Sequence, residues 1–266
     1  MFSKSEIRAL IIGIFVISLA IGFDDKSAVF AWSHWLQNFL AVLLMVTFSF
    51  VVHQLAHKIV ARMNGFEAEF SLWGVQSFRL STKALMGRTI NKPFPKVIRI
   101  FGHEFTINAF PIGVIISLLV TLVSNGKIFF LAIGQYKLLI KKAARIGRKY
   151  VEVQNLEEAK IALAGPMVSI VLMVIGKLLN NYGTFDTFIL VNAGLAIFHM
   201  LPLPNLAGIK ILFGSRILYI TSLIFIIMMI VLAYTVSIIP MLIISAVAAV
   251  IAFILGYYFT YFDYKN

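Results

Sequence analysis

Long unbroken apolar runs, rather than alternation, set the pattern of this chain. They extend approximately over 9–23, 39–60, 110–140, 161–179, 187–204, 217–236 and 241–262. Several approach the ~20 residues that carry a helix across a bilayer. A membrane β-barrel would instead alternate apolar and polar positions every second residue. Two runs are interrupted. Ser124-Asn125-Gly126-Lys127 divides 110–140 into arms too short to span, which predicts a hairpin or re-entrant element. Pro202 and Pro204 break the segment 187–204 at membrane depth, where irregular backbone is tolerated only against protein or a cavity. Between the second and third runs, Phe66 to Leu80 alternates well enough to suggest one or two strands. The expected fold is an all-α polytopic membrane protein. It has about six transmembrane helices, a hairpin or re-entrant element and a short β segment on the cytoplasmic side, forming one domain over 1–266.

Composition sharpens this picture. Hydrophobic residues make up 61% of 266, far above a soluble domain of this size. The first run is bounded by Lys4 and Arg8 before it and Asp24-Asp25 after it, with no small-residue cleavage pattern. It therefore reads as a retained first helix rather than a signal peptide. The net charge of +12 sits mainly in two stretches, Arg62 to Arg99 and Lys137 to Lys160. Basic loops mark the cytoplasmic side of a membrane protein, so this charge predicts topology in a cell membrane and contact with anionic lipid, not nucleic acid. Trp32 and Trp35, and the aromatic stretch Phe259 to Tyr264, suit the two bilayer interfaces. With no cysteine in the chain, disulfides and thiolate metal sites are excluded.

The candidate chemistry lies inside the second run, at Val52-His53-Gln54-Leu55-Ala56-His57. Residues four apart share a helix face, so both imidazoles can address one ion. Ionisable side chains at membrane depth are costly and point to function. Gln54 stands where the H-E-x-x-H pattern has its general base; an amide can hydrogen-bond a metal-bound water but cannot take its proton.

Two further stretches follow in order: Ile161-Ala-Leu-Ala-Gly165-Pro166-Met-Val-Ser169, and His199-Met-Leu-Pro202-Leu-Pro204-Asn205-Leu206-Ala207-Gly208. Together with His53 and His57 they resemble the site-2 protease family of intramembrane zinc metalloproteases, from the histidine helix to about Arg216. The resemblance implies that His53 and His57 correspond to two zinc-binding histidines. Gln54 then occupies the position of the catalytic glutamate. Leu206-Ala207-Gly208 matches Leu-Asp-Gly, so Ala207 occupies the position of the aspartate that is the third zinc ligand. His199 falls where the family has an asparagine near the active site. Pro202 and Pro204 keep the loop that carries the third ligand and, with His199, border the substrate site. The implied cofactor is zinc, and the implied partner is the transmembrane helix of a membrane-protein substrate.

Both acidic groups that the chemistry needs are thus neutral here. Of the eleven acids in the chain, none falls within an apolar run at the depth of the histidines. Only Glu67, Glu69 and Glu104 are placed to reach in from the inner loops as a stand-in base. His199 has two readings: a packing residue bonded to a backbone carbonyl, or a replacement third ligand, since three histidines suffice for a catalytic zinc site. The chain as a whole also has two: a protease engineered or otherwise inactivated at Gln54 and Ala207, or a natural pseudoprotease that binds membrane helices without cutting them. A transporter built around the broken helix is the reading from another class. Internal repeats and intramembrane charges would support it, and the sequence offers neither.

Overall fold

In the computed structural model, the described residues are 2–25, 27, 29–74, 77–81, 89–93, 96–100, 103–107, 109–140 and 153–261. They form, in order, helices α1 (Lys4–Gly22) and α2 (Trp32–Met63), and strands β1 (Phe66–Leu72), β2 (Ser77–Ser81), β3 (Thr89–Pro93), β4 (Lys96–Ile100) and β5 (His103–Ile107). Then come α3 (Ile112–Val123), β6 (Gly134–Ile140), α4 (Asn155–Leu179), α5 (Asp186–His199), α6 (Ala207–Gly214), α7 (Arg216–Ala233) and α8 (Ile238–Tyr261). Five of the helices, α1, α2, α4, α7 and α8, are long and apolar enough to cross a membrane. The remaining run expected to do so, 187–204, yields only α5. At 14 residues it is about 21 Å long, short of the ~30 Å hydrocarbon core. The prolines are the reason: the chain leaves helical geometry after His199 and resumes it only at Ala207.

The region 110–140 is a hairpin of unequal arms. Its first arm is α3; its second is extended chain ending in β6. The turn at 124–126 packs against Phe23 and Asp24, at the far end of α1. The chain then comes back along α1 and pairs antiparallel with β1, Phe66 opposite Ile140 and Leu72 opposite Gly134. The pairing is prolonged by Trp73 N–H donating to Ile133 O at 2.6 Å. Two further antiparallel pairs, β2–β3 and β4–β5, fall in the interval 77–107, so the alternation read over 66–80 corresponds to β1 and β2. Basic residues 83 and 88 in the first charged stretch, and 141–149 in the second, lie outside the described residues.

The start of α1 is fixed by a carboxylate with several partners. Ser3 caps the helix, accepting from Glu6 N–H, while Ser3 N–H donates to Glu6 Oε2 at 2.6 Å. The other oxygen, Oε1, accepts from Phe70 N–H on β1 at 2.8 Å and from Lys58 Nζ on α2 at 2.6 Å. Both Glu6 and Lys58 are buried. One carboxylate therefore joins α1, α2 and β1. Above it, Leu10, Ile17, Val46, Phe50, Phe70, Leu131, Ile133 and Leu195 pack as one apolar cluster. A second cluster, containing Phe66, Ile161, Met173, Met200, Ala207 and Ile211, lies between β1, α4, α5 and α6. The histidines are positioned at this second junction.

Candidate functional site

His53, Gln54 and His57 lie on the sixth and seventh turns of α2, facing inward, with relative exposures of 0%, 4% and 2%. Helix α4 covers them. Its Gly165 is the point of contact: a Cβ there would lie 2.2 Å from His57 Nε2 and 2.5 Å from His53 Nε2. Both Nε2 atoms are thus aimed at one spot on α4, and only glycine leaves room for them. Pro166 follows within the same helix and deprives the carbonyl four residues earlier, that of Ala162, of its helical donor. The carbonyl of the adjacent Ile161 accepts from His57 Nδ1 at 2.7 Å. His53 Nδ1 is paired with Ser169 Oγ at 2.8 Å, one turn beyond Gly165.

His199, the last residue of α5, joins this pair. Its ring centre lies 4.5 Å from that of His53, and the His53 and His57 ring centres are 5.1 Å apart. His199 Nδ1 is held by the carbonyl of Leu195 at 2.9 Å. Each of the three histidines therefore has its Nδ1 occupied by a protein group, the arrangement that fixes ring orientation around metals. On the opposite side of the rings, His53 Nε2 and His199 Nε2 are buried without a hydrogen-bond partner. Among the described residues, no group of three or more histidine, aspartate, glutamate or cysteine side chains is placed to hold a metal ion.

The broken segment is anchored by its backbone. Trp73 Nε1–H donates to Pro204 O at 2.8 Å, and Tyr219 Oη–H donates to Met200 O at 3.1 Å. Asn205 takes the left-handed conformation, φ 67°, which asparagine tolerates better than most side chains. Gly208 is required by close approach, since a Cβ there would fall 2.2 Å from Met200 O and 2.4 Å from Leu201 O. Ala207 is buried at the start of α6 beside it. One turn further on, Lys210 extends over the Tyr136 ring at 3.8 Å, donates to Tyr136 O at 3.0 Å and pairs with Glu158 at 3.2 Å. Tyr136, on β6, stacks on His57 with ring centres 4.8 Å apart. The α6 segment is thus linked to the histidine helix through one aromatic ring.

Of the residues singled out by sequence, His53, Gln54, His57 and His199 are gathered in one buried region, and Pro202, Pro204 and Ala207 border the same core. Glu67 and Glu69 are not drawn in. They alternate with the buried Phe66, Ala68 and Phe70, whose face carries Tyr136 toward His57, so their own side chains face away. They line a cavity instead, with Ser3, Glu6, Lys58 and Arg62. The side chain of Glu104 lies outside the described residues. Sequence reading overlooked Ser169, Tyr136 and the Lys210–Glu158 pair. Ser169 was in principle visible, being four residues after Gly165 and hence on the same helix face. Lys210 was a lone cation in an apolar stretch, which calls for a partner. Tyr136 gave no signal.

No family model matches this chain, and neither a curated protein nor a solved structure matches it.

Proposed function

We propose that this chain is an integral membrane protein of the site-2 protease type that binds transmembrane helices and, with Gln54 and Ala207 in place, does not cut them. The observation that carries the reading is the convergence of His53 and His57 Nε2 on Gly165, beside a proline-broken segment that ends in Leu206-Ala207-Gly208. These stretches, in this order along the chain, are the ones that resemble the family, and their packing against one another is what such a site needs. The apolar outer faces of α7 and α8, with Ile227, Val231, Ile243, Val247, Ile251 and Ile254 exposed, are compatible with lipid contact. In this reading the basic loops and the site's open side face the cytoplasm of a cell membrane.

Zinc would be held by His53 and His57, and would supply Lewis-acid polarisation of a peptide carbonyl and an acidified water in a chain that has a base to use it. Here Gln54 orients but takes no proton, and Ala207 provides no donor atom. A substrate helix must unwind locally to expose a carbonyl. The two-stranded β1–β6 ladder beside His57 offers it an edge, because β1 and β6 pair only with each other among the described residues. His199, Pro202 and Pro204 would line the approach.

The test restores both acids. The double variant Gln54→Glu, Ala207→Asp should cleave a helix-unstable transmembrane peptide in liposomes, and a zinc chelator should stop it. Either single change should give far less, because base and ligand act as a unit. A folded, zinc-loaded double variant that cuts none of several such peptides would remove the inactivated-protease reading and leave a helix-binding pseudoprotease. Cleavage by the chain as it stands would reveal a base elsewhere.

A further inference from the structure

We infer that the groove between α4, α7 and α8 is a binding site for one anionic phospholipid, with an acyl chain lying along α4 and the headgroup meeting Lys160 and Arg216. The groove has a volume of about 460 Å³. Its apolar walls are Leu163, Ala164 and Met167 of α4, Ile217 and Leu218 of α7, and Phe253 of α8. Gly214 packs against Asn155 and Ala159, so the starts of α4 and α7 lie together. The last part of α8 joins them there, since a Cβ on Gly256 would meet Ile217 at 3.7 Å. The polar residues that line the groove, Lys160 and Ser215, both belong to this end. Lys160 directly precedes the apolar part of α4, and Ser215 caps α7. Ser215 Oγ accepts from Leu218 N–H at 3.2 Å, which leaves its hydroxyl hydrogen to offer.

Charge and width choose the occupant. Lys160 and Arg216 are exposed, and neither has an acidic partner among the described residues. Lys210, by contrast, is already paired with Glu158. The mouth of the groove is therefore positive, with a hydroxyl beside it, while the interior is apolar. That is the complement of an anionic headgroup on a hydrocarbon chain. Each basic residue beside anionic lipid is worth roughly fivefold in binding. A small soluble anion would meet the cations but leave the apolar walls uncovered. Width excludes a substrate helix. From Lys160 to Met167, α4 rises about 10 Å, so about 460 Å³ leaves a cross-section of roughly 45 Å². A helix at least ~10 Å across would fill about 80 Å². A hydrocarbon chain is slimmer and fits.

The inference rests on the membrane reading of this chain and not on the histidines or on zinc. Full-length protein in detergent is titrated with phosphatidylglycerol or phosphatidylcholine, and bound lipid is counted by native mass spectrometry. One phosphatidylglycerol should bind at least about fivefold more tightly than phosphatidylcholine. Lys160→Gln with Arg216→Gln should reduce that preference to about twofold or less. Both side chains are exposed, so this variant should fold. Lys4→Gln with Arg8→Gln, the same loss of charge at the start of α1, should keep the preference. Met167→Trp, which fills the groove, should weaken binding of both lipids. Equal affinity for the two lipids, equal loss of preference in the two charge pairs, or unchanged binding in folded Met167→Trp would each overturn the inference. So would a transmembrane peptide that displaces phosphatidylglycerol and itself fails to bind Met167→Trp, because the groove would then be a helix site. None of these results bears on cleavage by the Gln54→Glu, Ala207→Asp variant, so the two proposals fail separately.

Discussion

Two polar clusters lie buried in this apolar protein, and they are built on opposite principles. At the foot of α1, Glu6 and Lys58 meet at 2.6 Å, and both Glu6 oxygens have further backbone donors. That cluster is closed. Five residues before Lys58 begins the histidine group, in which the outer nitrogens are held and the inner ones of His53 and His199 are left without partners. That cluster is open. Glu6 and Lys58 are nearly as little exposed as the histidines yet line a cavity with Arg62, so low exposure alone does not distinguish the two clusters. The count of unmet donors and acceptors does.

The largest effect should come from breaking the closed cluster. Lys58→Met leaves the Glu6 carboxylate buried without its cation and should cost about 3–5 kcal/mol, read as loss of thermal stability in detergent. Glu6→Met with Lys58→Met should recover most of that, since replacing a whole buried pair by apolar groups is often neutral. If the single and double changes cost the same, the pair is not the fastener described here.

Gly165→Ala should come next. It drives a methyl into His53 and His57 Nε2, and overpacking of this kind costs about 1–3 kcal/mol. Metal titration of the folded variant should show uptake abolished. Uptake at the level of the unmutated chain would mean that the ion sits elsewhere.

In chelator, His199→Leu should change stability by no more than about 1 kcal/mol, roughly one net hydrogen bond, because its inner nitrogen has no bond to lose. A penalty as large as that of Lys58→Met would show that the histidine group is a closed structural network after all.

The smallest effect belongs to a third, exposed contact. His34 Nδ1 and Asp25 Oδ2 meet at 2.9 Å, and this bond, with two from Ser27, holds the Asp25 carboxyl down at about 2. A depressed carboxylate stabilises the fold above its ordinary pKa of about 4 and loses that contribution as pH falls toward 2. His34→Ala should let the Asp25 carboxyl move back up in an NMR titration without a measurable change in unfolding midpoint. A clear drop in midpoint near neutral pH would rank this contact with the buried pair.

Much of this architecture was legible beforehand, and the exceptions have identifiable causes. The runs around Ala9, Phe39, Ile161, Ile217 and Met241 read as helices because an apolar stretch of sufficient length satisfies its own backbone only that way. Pro202 and Pro204 announced a break, and the break lies between His199 and Ala207. The returning arm of 110–140 was not foreseeable as a strand. Apolar content there is equally compatible with helix, and what decides is the unpaired edge of β1, more than 60 residues earlier. The Glu6–Lys58 pair was hidden for a similar reason: each sits among other charged residues near a helix end, where solvent exposure is the ordinary outcome.

Sequence by itself determined that His53 and His57 share a face, that no proton acceptor stands beside them at position 54, and that position 207 offers no donor. These follow from helical period and side-chain chemistry, which are local. Only the tertiary structure decided that the face points at Gly165, that Ser169 and the Ile161 carbonyl orient the rings across 116 and 104 residues, and that His199 arrives as a third nitrogen. Local periodicity gives the direction of a side chain relative to its own helix. What stands opposite it depends on how four helices pack, and that is set by the volumes of residues far apart in the chain.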